Sequence, residues 1–536
     1  MKNILITAFL FCLSIHINAQ SFHYINDKSF GTSNREYPPL TVRINNTNYM
    51  AGTSNCPIAE FDKSDPNCSS NFADIWIIAF DDSLNIIWNK TYGGNKNENI
   101  FNIDSYNNHI LISGNSNSDS SCTLQSSNKG GDDYLILTID TLGNITKEFR
   151  LGSSGSDINC KAKPTLDGGI MIMGASNGPS DGDKTDSNLG NYDYWIIKLD
   201  SLGNKMWDKV LGGNSVELNT SIDNFNFTLL NDSGFLYYGS TSSINSGNVT
   251  GSSFGLADAW VVKTNKNGQI LWDRRYGGIN FETISDLIES NNSYYLLGFT
   301  SSPSGGTIQN PGFGGGYNDF WLMKTDTSGN IEWETKYGTT NDEHAIKILK
   351  NNQGNMTVLG IVTTTGNGSF GSPSFGQTDY LVMNLDSTGN LLNYIILGSD
   401  SLDFPNNLIV LNDSTFLVCG SAGHGTTAVK HDIGKGGSDY WVVKIGYSTT
   451  TGITDIGQNL QLHLQPNPAH DYVEIMGLPS DDYEVNIYSI EGRLLASKKQ
   501  HADLSLTIPV SHFQSGMYLT EIRNDKLKTT VKWVKE

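Results

Sequence analysis

The sequence predicts an all-β chain: a ring of seven four-stranded repeats closed by the N-terminal strand, followed by a small C-terminal β-sandwich. Three observations lead there. A motif of Asp, a mostly aromatic residue, then Trp or Leu recurs from Asp74, Asp133, Asp193, Asp258, Asp319, Asp379 and Asp439. The intervals are 59, 60, 65, 61, 60 and 60 residues, the mark of a repeat array. The seventh copy lacks its second half, and the N-terminus supplies it.

Each repeat holds four strand-like pieces, called a to d here. In one copy they read ISDLIES (284–290), YYLLGFTS (294–301), DFWLMKTD (319–326) and NIEWETKYG (330–338). All are short, rich in β-branched and aromatic residues, and bounded by Gly, Asn, Ser or Asp. The c-to-d junctions DSLGN at Asp200, DTSGN at Asp326 and DSTGN at Asp386 are hairpin turns. Asp hydrogen-bonds into such a turn and Gly supplies the positive φ. Five Trp fall on strand c and four on strand d. The pairs Trp76 with Trp88, Trp195 with Trp207, Trp260 with Trp272 and Trp321 with Trp333 are expected on one face of each hairpin. Blade-to-blade packing is their expected role, with a sugar-stacking platform as the alternative.

Near the N-terminus KSFGTSNRE (28–36) matches TKYGTTNDE (335–343), and NYMAGTS (48–54) matches strand b. The chain therefore begins on strand d and ends its repeats on strand c. Pairing those two pieces closes the ring and removes exposed sheet edges. Over residues 22–446 the pattern resembles seven-bladed β-propellers. The D-x-x-G-N…W element resembles the repeats of quinoprotein-like propellers, in the blade and not in any cofactor site.

Antiparallel order sends the b–c loops and d–a connections to one side, and the a–b and c–d turns to the other. The b–c loops (55–73, 117–131, 177–192, 243–257, 303–318, 364–378, 423–438) are long and unlike each other, which marks that face for binding. The same side carries one acid per repeat: Glu36, Glu98, Asp157, Glu217, Glu282, Glu343 and Asp403. They are expected to ring the channel mouth. They would either accept hydrogen bonds from the neighbouring blade's backbone or hold a cation, calcium being the candidate, or a basic ligand. Among the cysteines Cys56 and Cys68 share one polar loop and are the first candidate disulfide, with Cys122–Cys160 second and Cys419 a core thiol.

A net charge of −20 argues against nucleic acid and anionic membrane. Residues 1–19 read as a signal peptide, with Lys2 before a short apolar run; no later run spans a membrane. There is no HExxH, GxSxG, P-loop or EF-hand pattern, so no catalytic residue and no cofactor is identified.

Beyond a polar linker (447–460), residues 461–536 alternate apolar residues between turns, as in a small β-sandwich. This segment resembles the type A C-terminal sorting domain of the type IX secretion system of Bacteroidetes-type bacteria. The match rests on Pro466-Asn467-Pro468, Gly492-Arg493, Gly516-Met517-Tyr518 and the Lys-rich end with Lys532 and Lys535; Gln465 stands where an aromatic is usual. The resemblance implies export, the secretion machinery as partner, and a secreted or outer-membrane-surface location. The expected function is a non-enzymatic glycan- or protein-binding or adhesion module. The alternative is an extracellular polysaccharide hydrolase or lyase, or a quinoprotein-like oxidoreductase.

Overall fold

The computed structural model describes residues 19–217, 225–313, 316–351, 354–363, 368–371, 374–427, 429–450, 463–465, 468–476, 482–490, 493–500, 505–523 and 528–536. The chain divides into two compact units, with Phe22–Ser448 holding the repeats.

Seven four-stranded antiparallel sheets make up the first unit. Blade 1 runs through Leu40–Ile44, Thr47–Ser54, Asp74–Phe80 and Ile86–Tyr92, in the order a to d. Blades 2 to 6 follow at 98–151, 157–211, 226–276, 282–337 and 343–397. Blade 7 takes strands a to c from Asp403–Asn412, Thr415–Ala422 and Asp439–Thr450, and strand d from Ala19–Phe30. The N-terminal strand thus closes the ring. Neighbouring a strands pack against one another, so they form the inner wall.

The Asp-aromatic-Trp motif is three consecutive residues with three different jobs. Successive residues of a strand point to opposite faces. The Tyr therefore meets the next blade and the Trp the previous one. Tyr440 stacks on Trp76 with ring centroids 5.1 Å apart, Tyr134 lies 5.1 Å from Trp195, Tyr194 6.1 Å from Trp260, and Tyr380 4.9 Å from Trp441. Each incoming ring crosses a strand-b glycine: a Cβ on Gly174 would lie 2.4 Å from the Tyr134 hydroxyl, which is why that position carries no side chain. The strand-c indoles then donate to strand d of their own blade. Trp76 bonds Asn89 at 3.1 Å, Trp195 Asp208 at 3.0 Å, Trp260 Asp273 at 3.0 Å, Trp321 Glu334 at 2.7 Å and Trp441 Asp27 at 2.9 Å. Asp208 also accepts from Thr185 N and Oγ1 and from Lys205. Asp208→Ala orphans all of these donors and is expected to cost about 3 kcal/mol. The measurement is the denaturant midpoint at unchanged slope.

The Trp pairs do not share a face. Each c–d hairpin carries a bulge near the turn, as between Lys198 and Leu199, so that Lys198 rather than Ile197 opposes Trp207. The extra residue turns every strand-d side chain over. Trp88 and Trp272 accordingly face the following blade, donating to Thr141 O and Thr327 O in its c–d turn. Those turns repeat one pattern. The Asp140 carboxylate accepts Leu142 N, Asn144 N and the Asn144 amide, and Asp200, Asp326 and Asp386 are arranged likewise.

The disulfide is Cys68–Cys122, with Cα atoms 6.0 Å apart, while Cys56 and Cys160 are buried free thiols. It ties the loop of blade 1 to that of blade 2. Cys56–Cys68 does not form because Cys56 is turned inward, its Sγ donating to Ile58 O and the Glu60 carboxylate. Cys160 sits instead in the hydrophobic cluster between blades 2 and 3, and Cys419 is in the core as expected.

In the C-terminal unit a three-stranded sheet (His463–Gln465, Tyr472–Met476, Ser505–Pro509) and a four-stranded sheet (Leu494–Gln500, Tyr483–Ser489, Gly516–Arg523, Lys528–Lys535) share one core. Trp533 is at its centre, stacked on Tyr518 at 5.0 Å, and its indole donates to Thr520. The Tyr518 hydroxyl donates to Gln514 O at 2.6 Å, and Gly516 has φ +157. Pro468 leads into the pairing of Ala469 with the last strand, and Arg493 closes a turn with Ser489. Pro466, Asn467 and Gly492 lie outside the described residues.

Candidate functional site

The b–c loops and the belt beneath them make the candidate site. The belt is built from the seven acids at the start of strand a and the seven Asp that open strand c. All fourteen are buried, at most 2% exposed.

Backbone pairing between blades places the acids. The main-chain N of Glu98 donates to Ala73 O, that of Glu282 to Ala257 O and that of Glu36 to Ser438 O, in each case the residue before the previous blade's strand-c Asp. Every acid is thereby set beside that Asp. Its own carboxylate accepts from four residues upstream rather than from the neighbouring blade. Thr339 N and Oγ1 donate to Glu343 at 2.9 and 2.6 Å, and Ser153 N and Oγ to Asp157 at 2.7 and 2.9 Å. The hydroxyls ending strand b complete the cap, as with Ser116 on Glu98 and Thr300 on Glu282.

One oxygen of each strand-c Asp takes a loop amide: Asp379 accepts Phe375 N at 2.7 Å and Asp319 accepts Phe313 N at 3.0 Å. The other Oδ1 has no hydrogen-bond partner in any of the seven blades. That oxygen lies against the glycine ending strand d, where a Cβ on Gly398 would be 1.8 Å from Asp379 Oδ1. The same glycine corner holds the acid of the next blade. A Cβ on Gly212 would sit 2.2 Å from Asp193 Oδ1 and 2.8 Å from Glu217 Oε2, and both oxygens lack donors. A proton held by Glu217, whose carboxyl is raised by burial and by the facing Asp193, serves both oxygens at this blade boundary.

The carboxyl pKa values follow from this. Burial, opposed by local donors and reinforced by the facing carboxylate, pushes Glu36, Asp74 and Glu217 to about 7 and Glu343 to about 8. Burial lifts Asp133, Asp319, Asp379 and Asp403 to about 6.

Six blades also bury one cation between their own pair of acids. It comes from the b–c loop in Lys63, Lys184 and Lys430, and from strand d in Arg150, Arg275 and Lys336. All reach the same place, the end of strand b. Lys336 donates to Ser302 O at 2.7 Å, Arg150 to Ser116 O at 2.9 Å and Lys184 to Ser176 Oγ at 3.0 Å. Where the loop supplies Lys, strand d has Thr91, Val210 or Ser29; where strand d supplies it, the loop has Leu124, Val249 or Ile308. In blade 6 both positions are apolar, Phe370 and Ile396. The sequence holds this compensation, but its two halves come from different parts of the repeat and escape a search by motif. Among the described residues no group of three or more His, Cys, Asp or Glu is arranged to hold a metal ion. In six blades a Lys or Arg side chain occupies the space between the two acids.

The inner wall is stitched between blades. Asn102 Nδ2 donates to Ala162 O, Lys161 Nζ to Phe225 O, Lys163 Nζ to Phe227 O, Thr228 Oγ1 to Leu287 O and Asn407 Nδ2 to Thr41 O. Asp286 accepts Ile348 N at 3.0 Å and pairs with Lys347 at 3.4 Å. Burial and the facing Lys347 lower Lys163 to about 8.

Among known families, residues 463–536 match the secretion system C-terminal sorting domain. This marks the chain as type IX cargo, bound for the cell surface or the medium. No curated protein matches the chain. Solved structures similar to it include BBS1N in complex with ARL6DN, at 9% identity over 81% of this chain and 99% of that one, with a TM-score of 0.42. The Neurospora crassa Pan2 WD40 domain is similar at 8% identity over 82% and 98%, with a TM-score of 0.41. A Dyadobacter fermentans protein of unknown function follows at 8% identity over 80% and 100%, with a TM-score of 0.38. The propeller architecture rests on the seven sheets themselves.

Proposed function

We propose that this exported propeller is a non-enzymatic binding or adhesion module that uses its b–c loop face to hold an extracellular glycan or protein. The contrast between its two faces carries the reading. The c–d turns repeat one hydrogen-bonded design, while the b–c loops, pinned by a shared turn and by the strand-c Asp, differ in length, charge and aromatic content. Variable loops pinned to a rigid frame are where recognition is built. The inner-wall side chains named above are already engaged with backbone or with one another, which supports placing recognition on the loops. A glycan array and a pull-down with the full secreted chain, with and without calcium, test this. Binding is expected, and loop substitutions such as Phe254→Ala or Phe313→Ala should weaken it. Binding untouched by substitutions across all seven loops sinks the choice of face.

A further inference from the structure

The seven b–c loops differ in charge by sector. The loops of blades 1, 2, 3 and 7 carry Glu60, Asp62, Lys63 and Asp65; Asp119 and Lys129; Asp181, Asp183, Lys184 and Asp186; and Lys430, Asp432 and Lys435. The loops of blades 4, 5 and 6 (243–257, 303–318, 364–378) contain no Asp, Glu, Lys or Arg. They are Ser, Thr, Asn, Gln and Gly with apolar side chains between. In a chain of net charge −20 three consecutive neutral loops are a marked exception.

The same sector exposes large apolar side chains. Phe254, Leu256, Ile279, Phe281, Phe313 and Tyr317 are between 40% and 62% exposed. Backbone contacts hold the first four together. Leu256 N donates to Asn280 O, residue 257 bridges Phe281, and a Cβ on Gly306 of blade 5 would meet Phe254 at 3.0 Å. Phe254, Phe313 and Phe375 are one position repeated. In blades 4, 5 and 6 its amide donates to the strand-c Asp at 3.1, 3.0 and 2.7 Å. The other blades have Cys68, Lys129, Leu189 and Lys435 there, each anchored in the same way. A buried carboxylate therefore fixes the backbone under each Phe; blades 4 and 5 present an exposed ring there, and Phe375 of blade 6 is half-buried against the core.

We infer that the blade 4–6 sector of this face is a docking track for a neutral polysaccharide chain. This rests on the binding role proposed above and names its ligand class. Sugar rings offer an apolar C–H face that stacks on aromatic and aliphatic side chains, and hydroxyl edges that pair with amides and hydroxyls. A protein partner would bring charged rim residues that need complementary charge, and a uronic-acid polymer would need cations. The sector's loops supply neither; the connections beside it bring Asp342, whose carboxylate accepts Asn318 N, and Asp400. A neutral polyhydroxylated chain asks for none.

Affinity electrophoresis of the full chain in gels holding hydroxyethylcellulose, galactomannan, dextran or alginate tests this. Retardation is expected in at least one neutral polymer and not in alginate, and it should persist in 0.5 M NaCl, as a chargeless contact must. The Phe254→Ala/Phe313→Ala double variant removes two stacking rings and should weaken retention at least about tenfold. Phe61→Ala of blade 1 should leave it unchanged. Loss in Phe61→Ala but not in the double variant overturns the sector and leaves the face standing. Retardation by alginate alone, or by no polymer, overturns the ligand class, and retained protein binding would then still support a recognition module. Self-association abolished by the double variant, read by sedimentation, overturns it in favour of a second copy.

Discussion

Asp27→Ala is expected to lower the unfolding free energy by about 4 kcal/mol, the largest effect of any single substitution on the closing strand. Three of the four groups that Asp27 accepts lie more than four hundred residues away. Its carboxylate takes the Trp441 indole at 2.9 Å, His431 N at 3.1 Å and Asp432 N at 3.2 Å, besides the nearby Tyr24 hydroxyl at 2.5 Å. Trp441 is fully buried, so its indole has no water to turn to. Behind it the closing strand places Phe30 in the cluster with Trp76, Phe80 and Tyr440, between blades 7 and 1. Deleting residues 21–30 removes all of this and bares one edge of Asp439–Thr450. The outcome is a chain without a cooperative Trp-fluorescence transition. Asp27→Asn keeps one acceptor and should lose less than half as much. A deletion that unfolds cooperatively at the parent midpoint shows that closure does not hold the ring.

Repetition is what makes the fold legible. The 60-residue period, the hairpin DxxGN and the split seventh copy are statements about spacing, and closure follows from them without side-chain detail. The pairing of the two chain ends is visible in this way. The Trp faces are not, because the bulge between Lys198 and Leu199 adds one residue and has no residue signature of its own. The disulfide escapes because proximity in sequence, Cys56 to Cys68, competes with proximity across blades, Cys68 to Cys122. The acids are legible as one per repeat, while the cation that six of the seven blades bury beside them is not. That cation changes strand between blades, so no single column of the repeat shows it. The neutral loops of blades 4 to 6 stand in the composition, while the exposure of Phe254 and Phe313 does not.

The belt reverses the usual response to acid. A carboxyl whose folded pKa lies above its unfolded value near 4 holds its proton more tightly when folded. The stability it contributes is complete below that unfolded value and is lost as pH rises through the folded one. Glu343 at about 8, Glu36, Asp74 and Glu217 at about 7, and Asp133, Asp319, Asp379 and Asp403 at about 6 all act in this sense, so the loss falls between pH 4 and 8. Asp167 and Asp386, held at about 2 by their donors against burial, act oppositely and only in stronger acid. The buried Lys63, Lys184, Lys336 and Lys430, lowered by desolvation, bear on the alkaline side. The protein should therefore be more stable at pH 5 than at pH 8.5, by at least about 3 kcal/mol in guanidinium unfolding, the worth of a single carboxyl whose pKa rises by roughly two on folding. Glu343 should dominate. Asp319 and Asp342 face it, Thr339 caps it, and Phe370 and Ile396 stand where the other six blades place a cation. Glu343→Gln puts a permanent donor beside Asp319 Oδ1 and should flatten the pH dependence. Phe370→Leu with Ile396→Arg reproduces the Leu124 and Arg150 arrangement of blade 2 and should do the same by supplying charge. Equal stability at the two pH values, or a gain on going to pH 8.5, refutes the shared protons. A slope unchanged in both variants moves their seat to the other blade boundaries.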